Sequence, residues 1–302
     1  MPFTSTTSRR CACSQRRDDA AVTDATEELR ALADRILSVY EERTRPLAVL
    51  LAGSAGRGDA DFYSDLDLLL YYDELPPRAT IDEARDDLGG ALIRVAFENE
   101  ATDFGETFEL AGVQCQLGHL TVAACEEELD RIAVGEKLGT TLAKVVMGLL
   151  EGLPLSGEEL IDAWRERVRY RDELQRAVIE RHWQFFPLWY FEDVIERRDA
   201  RLWRHQVIVE AVFNLLSVLA ALNRAYFTEF ELKRTRDFVA KLSLAPPDLA
   251  DRLEHLLSPD AEAKELEALI GETQALLAEH LPEIELPPLR KSLGARASPW
   301  AS

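Results

Sequence analysis

Apolar and polar positions change period along the chain, and these changes predict where helices and strands lie. Residues 24–44 carry apolar side chains at helical spacing after a candidate N-cap at Asp24, which predicts an opening helix. Short apolar runs predict buried strands in LAVLLAG (47–53) and SDLDLLLYY (64–72). ATIDEARDDLGG (79–90) has helical spacing and a Gly-Gly stop, and ALIRVAFENE (91–100) alternates like a third strand.

A β-hairpin is predicted in ETFELAGVQCQLGHLTV (106–122), with its turn at Ala111-Gly112. Side chains alternate across a strand, so apolar and polar residues separate onto two faces. The predicted apolar face holds Phe108, Leu110, Val113, Cys115 and Leu117. The predicted polar face holds Thr107, Glu109, Gln114 and Gln116. The first half of the chain therefore has an α/β pattern with one buried hairpin face.

The second half of the chain has helical periodicity only. Beyond residue 123 strand signals disappear, the segment Leu153-Pro154-Leu155-Ser156-Gly157 marks the change, and long amphipathic stretches follow. We predict helices in 158–195, 200–226, 231–242, 247–257 and 261–280. The predicted organisation is a first domain over 23–150, a helical bundle over 151–285, and disordered tails at 1–22 and 286–302.

The apolar run Val207–Ala221 is interrupted by Glu210 and Asn214 and is too short to cross a bilayer. We therefore predict a buried helix there and no membrane partner. Four cysteines form no CxxC pair, which is typical of a reducing cytoplasm, and Cys11-x-Cys13 lacks the two further ligands of a zinc site. The cluster at 182–191, HWQFFPLWYF, suits either a bundle core or an acceptor pocket, and core is the commoner outcome.

The net charge of the chain limits which partners it is expected to bind. The 302 residues carry a formal net charge of -20, and a surface of this sign repels phosphate backbones on average. We therefore expect no nucleic acid partner, and an anionic substrate would need a local basic pocket.

Candidate chemistry is concentrated between residues 53 and 67. Asp65 and Asp67 are one residue apart on a predicted strand, so both point to the face opposite Leu66. Adjacent carboxylates repel each other, and a divalent cation such as Mg²⁺ turns that repulsion into binding. Gly53 and Ser54 begin the preceding turn and can offer backbone N–H groups and a hydroxyl to phosphate oxygens. The alternative is a chance match in which both aspartates are solvated surface residues.

Two other glycine motifs are excluded. A Walker A loop that starts at Gly53 needs Lys where Asp59 stands, and a dinucleotide fingerprint that starts at Gly56 needs Gly where Asp61 stands. The remaining pattern is Gly53-Ser54, three residues, Gly58, and then Ser64-Asp65-Leu66-Asp67 on the next strand. This pattern resembles the signature of the polymerase-beta-type nucleotidyltransferase superfamily.

The resemblance covers residues 25–125 by motif and the rest by size and layout only. It implies an α+β fold, in which a small mixed β-sheet nucleotidyltransferase domain precedes a C-terminal α-helical bundle, as in aminoglycoside and lincosamide nucleotidyltransferases. It also implies that Gly53 and Ser54 hold the phosphates of a nucleoside triphosphate (NTP), while Asp65 and Asp67 hold two magnesium ions. The implied reaction transfers a nucleoside monophosphate to a hydroxyl of a small molecule, with a protein acceptor of the antitoxin type as the alternative.

The superfamily usually has a third acid on a later strand, and Gln116 occupies the aligned position. An amide cannot act as a base, so a catalytically weakened homologue is a further alternative. Glu109, on the same predicted face, is the replacement candidate against an ordinary exposed glutamate, with Glu98 and Glu100 behind it. Gln116 itself could be a retained metal or substrate contact.

Two basic residues are candidates for the triphosphate. Arg57 lies within the glycine turn, and its alternative is a solvated arginine. Lys233 is proposed because helical domains of similar enzymes contribute a basic residue, and its alternative is a helix-surface lysine.

Overall fold

The computed structural model describes residues 23–99, 101–133, 140–187, 195 and 200–287. The predicted tail at 1–22 with its two cysteines, Glu100, residues 188–191 of the aromatic cluster, and residues 288–302 lie outside the described residues. The chain divides into two compact units. The first contains residues up to Ala124 together with Glu151–Ile161, and the second contains Cys125–Leu150 together with the chain from Asp162. This interleaved division differs from the single predicted boundary at residue 150.

The first unit is built on one mixed β-sheet. Its strands are β1 (Ala48–Leu51), β2 (Leu66–Tyr72), β3 (Ala91–Asn99), β4 (Asp103–Leu110), β5 (Val113–Thr121) and β6 (Leu153–Ser156). Its helices are α1 (Asp24–Thr44), α2 (Gly53–Arg57) and α3 (Arg78–Leu88). The strand order is β3-β4-β5-β2-β1-β6, and β2 and β5 are the parallel pair among antiparallel neighbours. The predicted α+β class with a small mixed sheet is confirmed.

Strand β6 was not predicted, because Pro154 and Gly157 made this segment read as a break. It pairs with β1 at one edge of the sheet, and an edge strand tolerates a proline that a central strand would not. At the other end of the unit, helix α1 begins one residue earlier than predicted. Thr23 is the N-cap, and its hydroxyl accepts a hydrogen bond from the backbone N–H of Thr26 at 3.1 Å.

The apolar face of the sheet packs under α1 and α3. Leu66, Leu68 and Leu70 of β2 are buried in one cluster with Ala33 and Ile36 of α1. Register then fixes which side chains of the neighbouring strand share that face. Cys115 and Leu117 of β5 stand opposite Leu66 and Leu68, and both are buried, as the predicted hairpin face requires.

A charged network is buried within this apolar face. The carboxylate of Glu106, only 1% exposed, accepts hydrogen bonds from the Tyr40 hydroxyl at 2.8 Å and the Arg85 guanidinium at 2.6 Å. His119 Nε2 lies 3.4 Å from the same carboxylate, and its Nδ1 lies 3.0 Å from the Tyr72 hydroxyl. Burial alone would raise the pKa of Glu106, but the contacts with His119, Tyr40 and Arg85 outweigh burial and hold this pKa below its ordinary value. Hydrophobic periodicity gave no sign of this network.

The second unit is helical. Besides most of α4 (Val122–Ala133), α5 (Thr140–Glu151) and α6 (Glu158–Arg167), it contains α7 (Asp172–His182), α8 (Arg201–Leu222), α9 (Thr235–Ala240), α10 (Leu249–His255) and α11 (Ala263–His280). Trp183, Leu215 and Ile270 belong to its core, and Phe185 and Phe186 pack against that core. The described part of the aromatic cluster therefore packs with the core, which is the commoner of its two readings.

Among the described residues, α8 is long and apolar enough by length and composition to cross a bilayer. This helix has 22 residues. The prediction that the segment is too short to cross a bilayer used only its apolar part, Val207–Ala221. Within its most apolar window, 61% is buried inside the protein, as in the core helix of a globular unit. The predicted buried helix is therefore present.

Candidate functional site

The two aspartates lie where β2 begins, on the face of the sheet opposite the apolar core. Asp65 immediately precedes the strand and Asp67 is its second residue, and both are half-buried. The intervening Leu66 and the following Leu68 are buried in the core. Strand alternation thus places both carboxylates on one side, because the apolar demand of the two leucines fixes the facing of the strand.

The glycine turn packs directly against Asp67. Gly53 has a left-handed backbone with φ of +64°, and a Cβ added there would overlap Asp67 Oδ2. The N–H of Ala52 donates to the backbone carbonyl of Asp67 at 2.9 Å, which ties the end of β1 to β2. Only glycine satisfies both the conformation and the close approach. The predicted neighbourhood of turn and carboxylate is therefore a real contact.

The turn is held from the far side by α1. Ser54 lies in the one-turn helix α2, whose Ala55 and Gly56 carbonyls accept hydrogen bonds from the Arg30 side chain at 3.0 and 3.1 Å. The Ser54 carbonyl accepts from the N–H of Gly58 at 2.9 Å. Hydrogen bonds thus hold the carbonyl groups of Ser54, Ala55 and Gly56 in place. They keep the turn that contains Gly53 and Ser54 next to the aspartates.

Substituting alanine for Gly53 should reveal this contact. We expect Gly53→Ala to lower the free energy of unfolding by more than Gly89→Ala, because both glycines are left-handed but a Cβ at Gly89 meets nothing within 4 Å. The left-handed conformation alone costs an alanine about 1–2 kcal/mol. Chemical denaturation of the two variants measures the difference. Equal losses would mean that Gly53 does not press on Asp67.

Gln116 lies in the centre of the same face. In the parallel register of β2 and β5 it stands opposite Asp67, and its Nε2 donates a hydrogen bond to Asp65 Oδ2. Thr107 of β4 stands opposite Gln116 on the other side and is buried. No hydrogen-bond partner of Thr107 Oγ1 is found in the described part of the chain. The row from Asp67 through Gln116 to Thr107 crosses three neighbouring strands.

Glu109 shares this face but not this row. Glu109 lies in β4, two strands away from β2, and is exposed. In the strand register it stands opposite Gln114 of β5. Strands in a sheet are about 4.8 Å apart, so its backbone is about 10 Å from that of β2. Glu98 stands opposite the core residue Phe104 and lies 3.6 Å from Arg78 of α3, on the helix side of the sheet.

The two predicted basic residues have partners of their own. Arg57 lies 3.3 Å from the Asp59 carboxylate and 3.7 Å from that of Glu151. Lys233 belongs to the second unit, in a 3₁₀ helix over Glu229–Arg234, and its ammonium is 5.4 Å from the Phe230 ring centroid. Their roles in phosphate binding stay predictions.

Two aromatic side chains in the loop before Asp65 were not among the predicted site residues. Phe62 and Tyr63 are each 90% exposed, and their ring centroids are 5.3 Å apart with the rings almost perpendicular. The loop is ordered by Asp61, whose carboxylate accepts from the Tyr63 N–H and the Ser64 hydroxyl, both at 3.0 Å. Adjacent aromatic residues in an otherwise polar loop were the available signal.

The donor set fits magnesium as a partner of a triphosphate. Mg²⁺ is usually held by one or two carboxylates and completes its shell with water and phosphate oxygens. Asp65 and Asp67 provide two carboxylates, and Gln116 can add an amide oxygen. Within the described ranges no group of three or more His, Cys, Asp or Glu side chains could hold a metal ion on its own. The site therefore suits an ion that arrives with further ligands from a substrate.

No model of a known protein family matches the sequence, and no relative is found among curated proteins. Solved structures with a similar fold include a nucleotidyltransferase-like protein from Exiguobacterium sibiricum, at 10% identity and a TM-score of 0.34, covering 84% of this chain and 74% of that one. Cid1 in complex with its short product ApU matches at 14% identity and 0.31, with 87% and 70% covered. A cytoplasmic RNA terminal U-transferase matches at 14% and 0.31, with 87% and 68% covered.

The first of these neighbours is described as nucleotidyltransferase-like, the class that the sequence pattern resembles, and the likeness concerns the fold alone. Likeness this distant does not decide what the present chain acts on. Structures of similar fold nevertheless include a poly(U) polymerase and an RNA terminal U-transferase, and the prediction that nucleic acid is excluded is wrong. A net charge of -20 is an average over the whole surface and does not describe one cleft.

Proposed function

We propose that this chain is a magnesium-dependent nucleotidyltransferase that moves a nucleoside monophosphate from an NTP to a hydroxyl group. One observation carries the proposal: Asp65 and Asp67 are held on one polar face of the sheet, with the Gly53 turn pressed against the Asp67 carboxylate. Two carboxylates held together on one polar face repel each other, and a bound cation with phosphate ligands would offset that repulsion.

In the proposed reaction the acceptor oxygen attacks the α-phosphorus, the bond from that phosphorus to the bridging oxygen breaks, and pyrophosphate leaves. Bound magnesium would supply the positive charge that offsets the charge developing on the phosphate oxygens. Asp65 and Asp67 would hold this ion, and the Gly53-Ser54 segment would bind phosphate oxygens of the triphosphate. Glu109 is the proposed acceptor of the hydroxyl proton, because it is an exposed carboxylate on the same face.

The acceptor that we propose is a small molecule, with a protein hydroxyl as the alternative. Incubation with labelled ATP, CTP, GTP and UTP, magnesium, and a panel of aminoglycosides, lincosamides, a basic protein and a short RNA tests the class of acceptor. We expect labelled product and pyrophosphate with one small molecule. Labelling of the RNA or the protein alone would overturn the small-molecule assignment, and no pyrophosphate with any acceptor would count against transfer itself.

A nucleotide-binding protein without turnover is the second candidate, and Gln116 favours it. Its amide donates to Asp65 and cannot take a proton from an acceptor. This reading predicts that magnesium and NTP stabilise the chain while no pyrophosphate is released. Steady pyrophosphate release that Asp65→Asn abolishes would contradict it.

A further inference from the structure

Gln116 lies next to both aspartates of the site. It stands opposite Asp67 in the strand register, and its amide donates to Asp65 just outside the strand. One side chain therefore lies beside both carboxylates. Because the amide donor is neutral, it fixes Asp65 without adding or removing a charge.

The charge at this position controls how a cation is held. Two carboxylates attract one divalent ion, and a third would strengthen that attraction while increasing the repulsion within the metal-free site. Gln116 supplies neither effect, and it also occupies one Asp65 oxygen with a hydrogen bond. In the metal-free site, Gln116 therefore adds no carboxylate repulsion and holds the Asp65 side chain in one position.

We propose that Gln116 is the positioning residue of this site. Its amide holds the Asp65 carboxylate next to Asp67 before any ligand arrives. As a neutral group it also keeps the affinity for a free divalent cation low, so that the ion binds together with the triphosphate. This inference rests on the proposed nucleotide site and adds the order in which its ligands enter.

The test compares Gln116→Glu with Gln114→Glu. Gln114 lies two residues earlier on the same face of β5, is exposed, and stands opposite Glu109, so Gln114→Glu adds the same charge but leaves the hydrogen bond between Gln116 and Asp65 intact. Electron paramagnetic resonance titration with Mn²⁺ measures the affinity for the free ion. We expect Gln116→Glu to bind Mn²⁺ about tenfold more tightly than the wild type, and Gln114→Glu to change the affinity less than threefold.

Thermal melts and a third variant complete the design. Without metal, Gln116→Glu should melt below the wild type because a third carboxylate adds repulsion to the site. Gln116→Met has similar length and no donor, so it should weaken the binding of Mn²⁺ with a non-hydrolysable triphosphate severalfold. The two Gln116 variants would thus move metal affinity in opposite directions, which a purely structural role would not produce. The gain in Mn²⁺ affinity that the triphosphate gives should be largest in the wild type.

Equal Mn²⁺ affinities in Gln116→Glu and Gln114→Glu would overturn the inference, even if the wild type transfers nucleotides normally. Unchanged binding in Gln116→Met would overturn it as well. Conversely, tighter Mn²⁺ binding by Gln116→Glu in a chain that releases no pyrophosphate would support Gln116 as a positioning residue while the proposed transfer failed. The two conclusions therefore fail on separate measurements.

Discussion

Replacing Asp67 with asparagine will remove the stabilisation that magnesium and an NTP give the folded chain. The substitution keeps the shape of the side chain and deletes the charge that faces the Gly53 turn. A ligand present at a hundredfold excess over its dissociation constant stabilises the native state by about 2.7 kcal/mol, and this is the effect that should vanish. Without ligand the variant should melt at or slightly above the wild type, because one of two like charges is gone.

Asp73→Asn is the matched control, since Asp73 is an exposed aspartate just beyond the other end of β2. It should keep the full ligand-induced shift, and Asp65→Asn should lose it as Asp67→Asn does. Thermal melts of the four proteins with and without magnesium and each triphosphate give the answer. A shift of wild-type size in both site variants would mean that these carboxylates do not bind the ion.

Replacing Glu106 with glutamine will destabilise the chain strongly. Arg85 is 5% exposed and lies 2.6 Å from the Glu106 carboxylate, so the variant removes the buried member of its two close counter-charges and leaves Asp82, at 2.8 Å, as the other. Breaking a buried pair from one side costs about 3–5 kcal/mol. Urea denaturation at neutral pH measures the loss, and Glu98→Gln, at an exposed carboxylate on β3, should cost less than about 1 kcal/mol.

The pH dependence of this loss has a defined sign. The pKa of Glu106 is lowered from 4.5 in the folded state, so its stabilisation is present above that value and disappears as the pH falls through the lowered pKa. The difference in unfolding free energy between wild type and Glu106→Gln should therefore be largest near neutral pH and shrink below pH 4.5. A difference that grew on acidification would contradict the network as described.

The elements around the candidate site were predictable because local patterns determine them. Leu66 and Leu68 must be buried, and the two-residue period of a strand then sends Asp65 and Asp67 to the opposite face. The turn at Ala111-Gly112, both with positive φ, fixed the hairpin register in the same local way.

Features that depend on contacts distant in sequence were not predictable. Strand β6 pairs with β1 about 100 residues earlier, and the proline within it masked its strand character. Glu106 read as an ordinary polar position at the start of a hairpin, yet its partners Tyr40 and Arg85 come from two helices. The hydrogen bond between Gln116 and Asp65 likewise requires the parallel pairing of β2 and β5, which no short motif encodes.

Anomalous diffraction from crystals grown with Mn²⁺ and a non-hydrolysable triphosphate tests the central claim most directly. Manganese substitutes for magnesium at oxygen-ligand sites and can be located without ambiguity. We predict a manganese peak bonded to carboxylate oxygens of both Asp65 and Asp67, with triphosphate oxygens in the same coordination shell and the phosphates against Gly53 and Ser54. A nucleotide bound elsewhere, or a manganese ion that touches neither aspartate, would contradict the account.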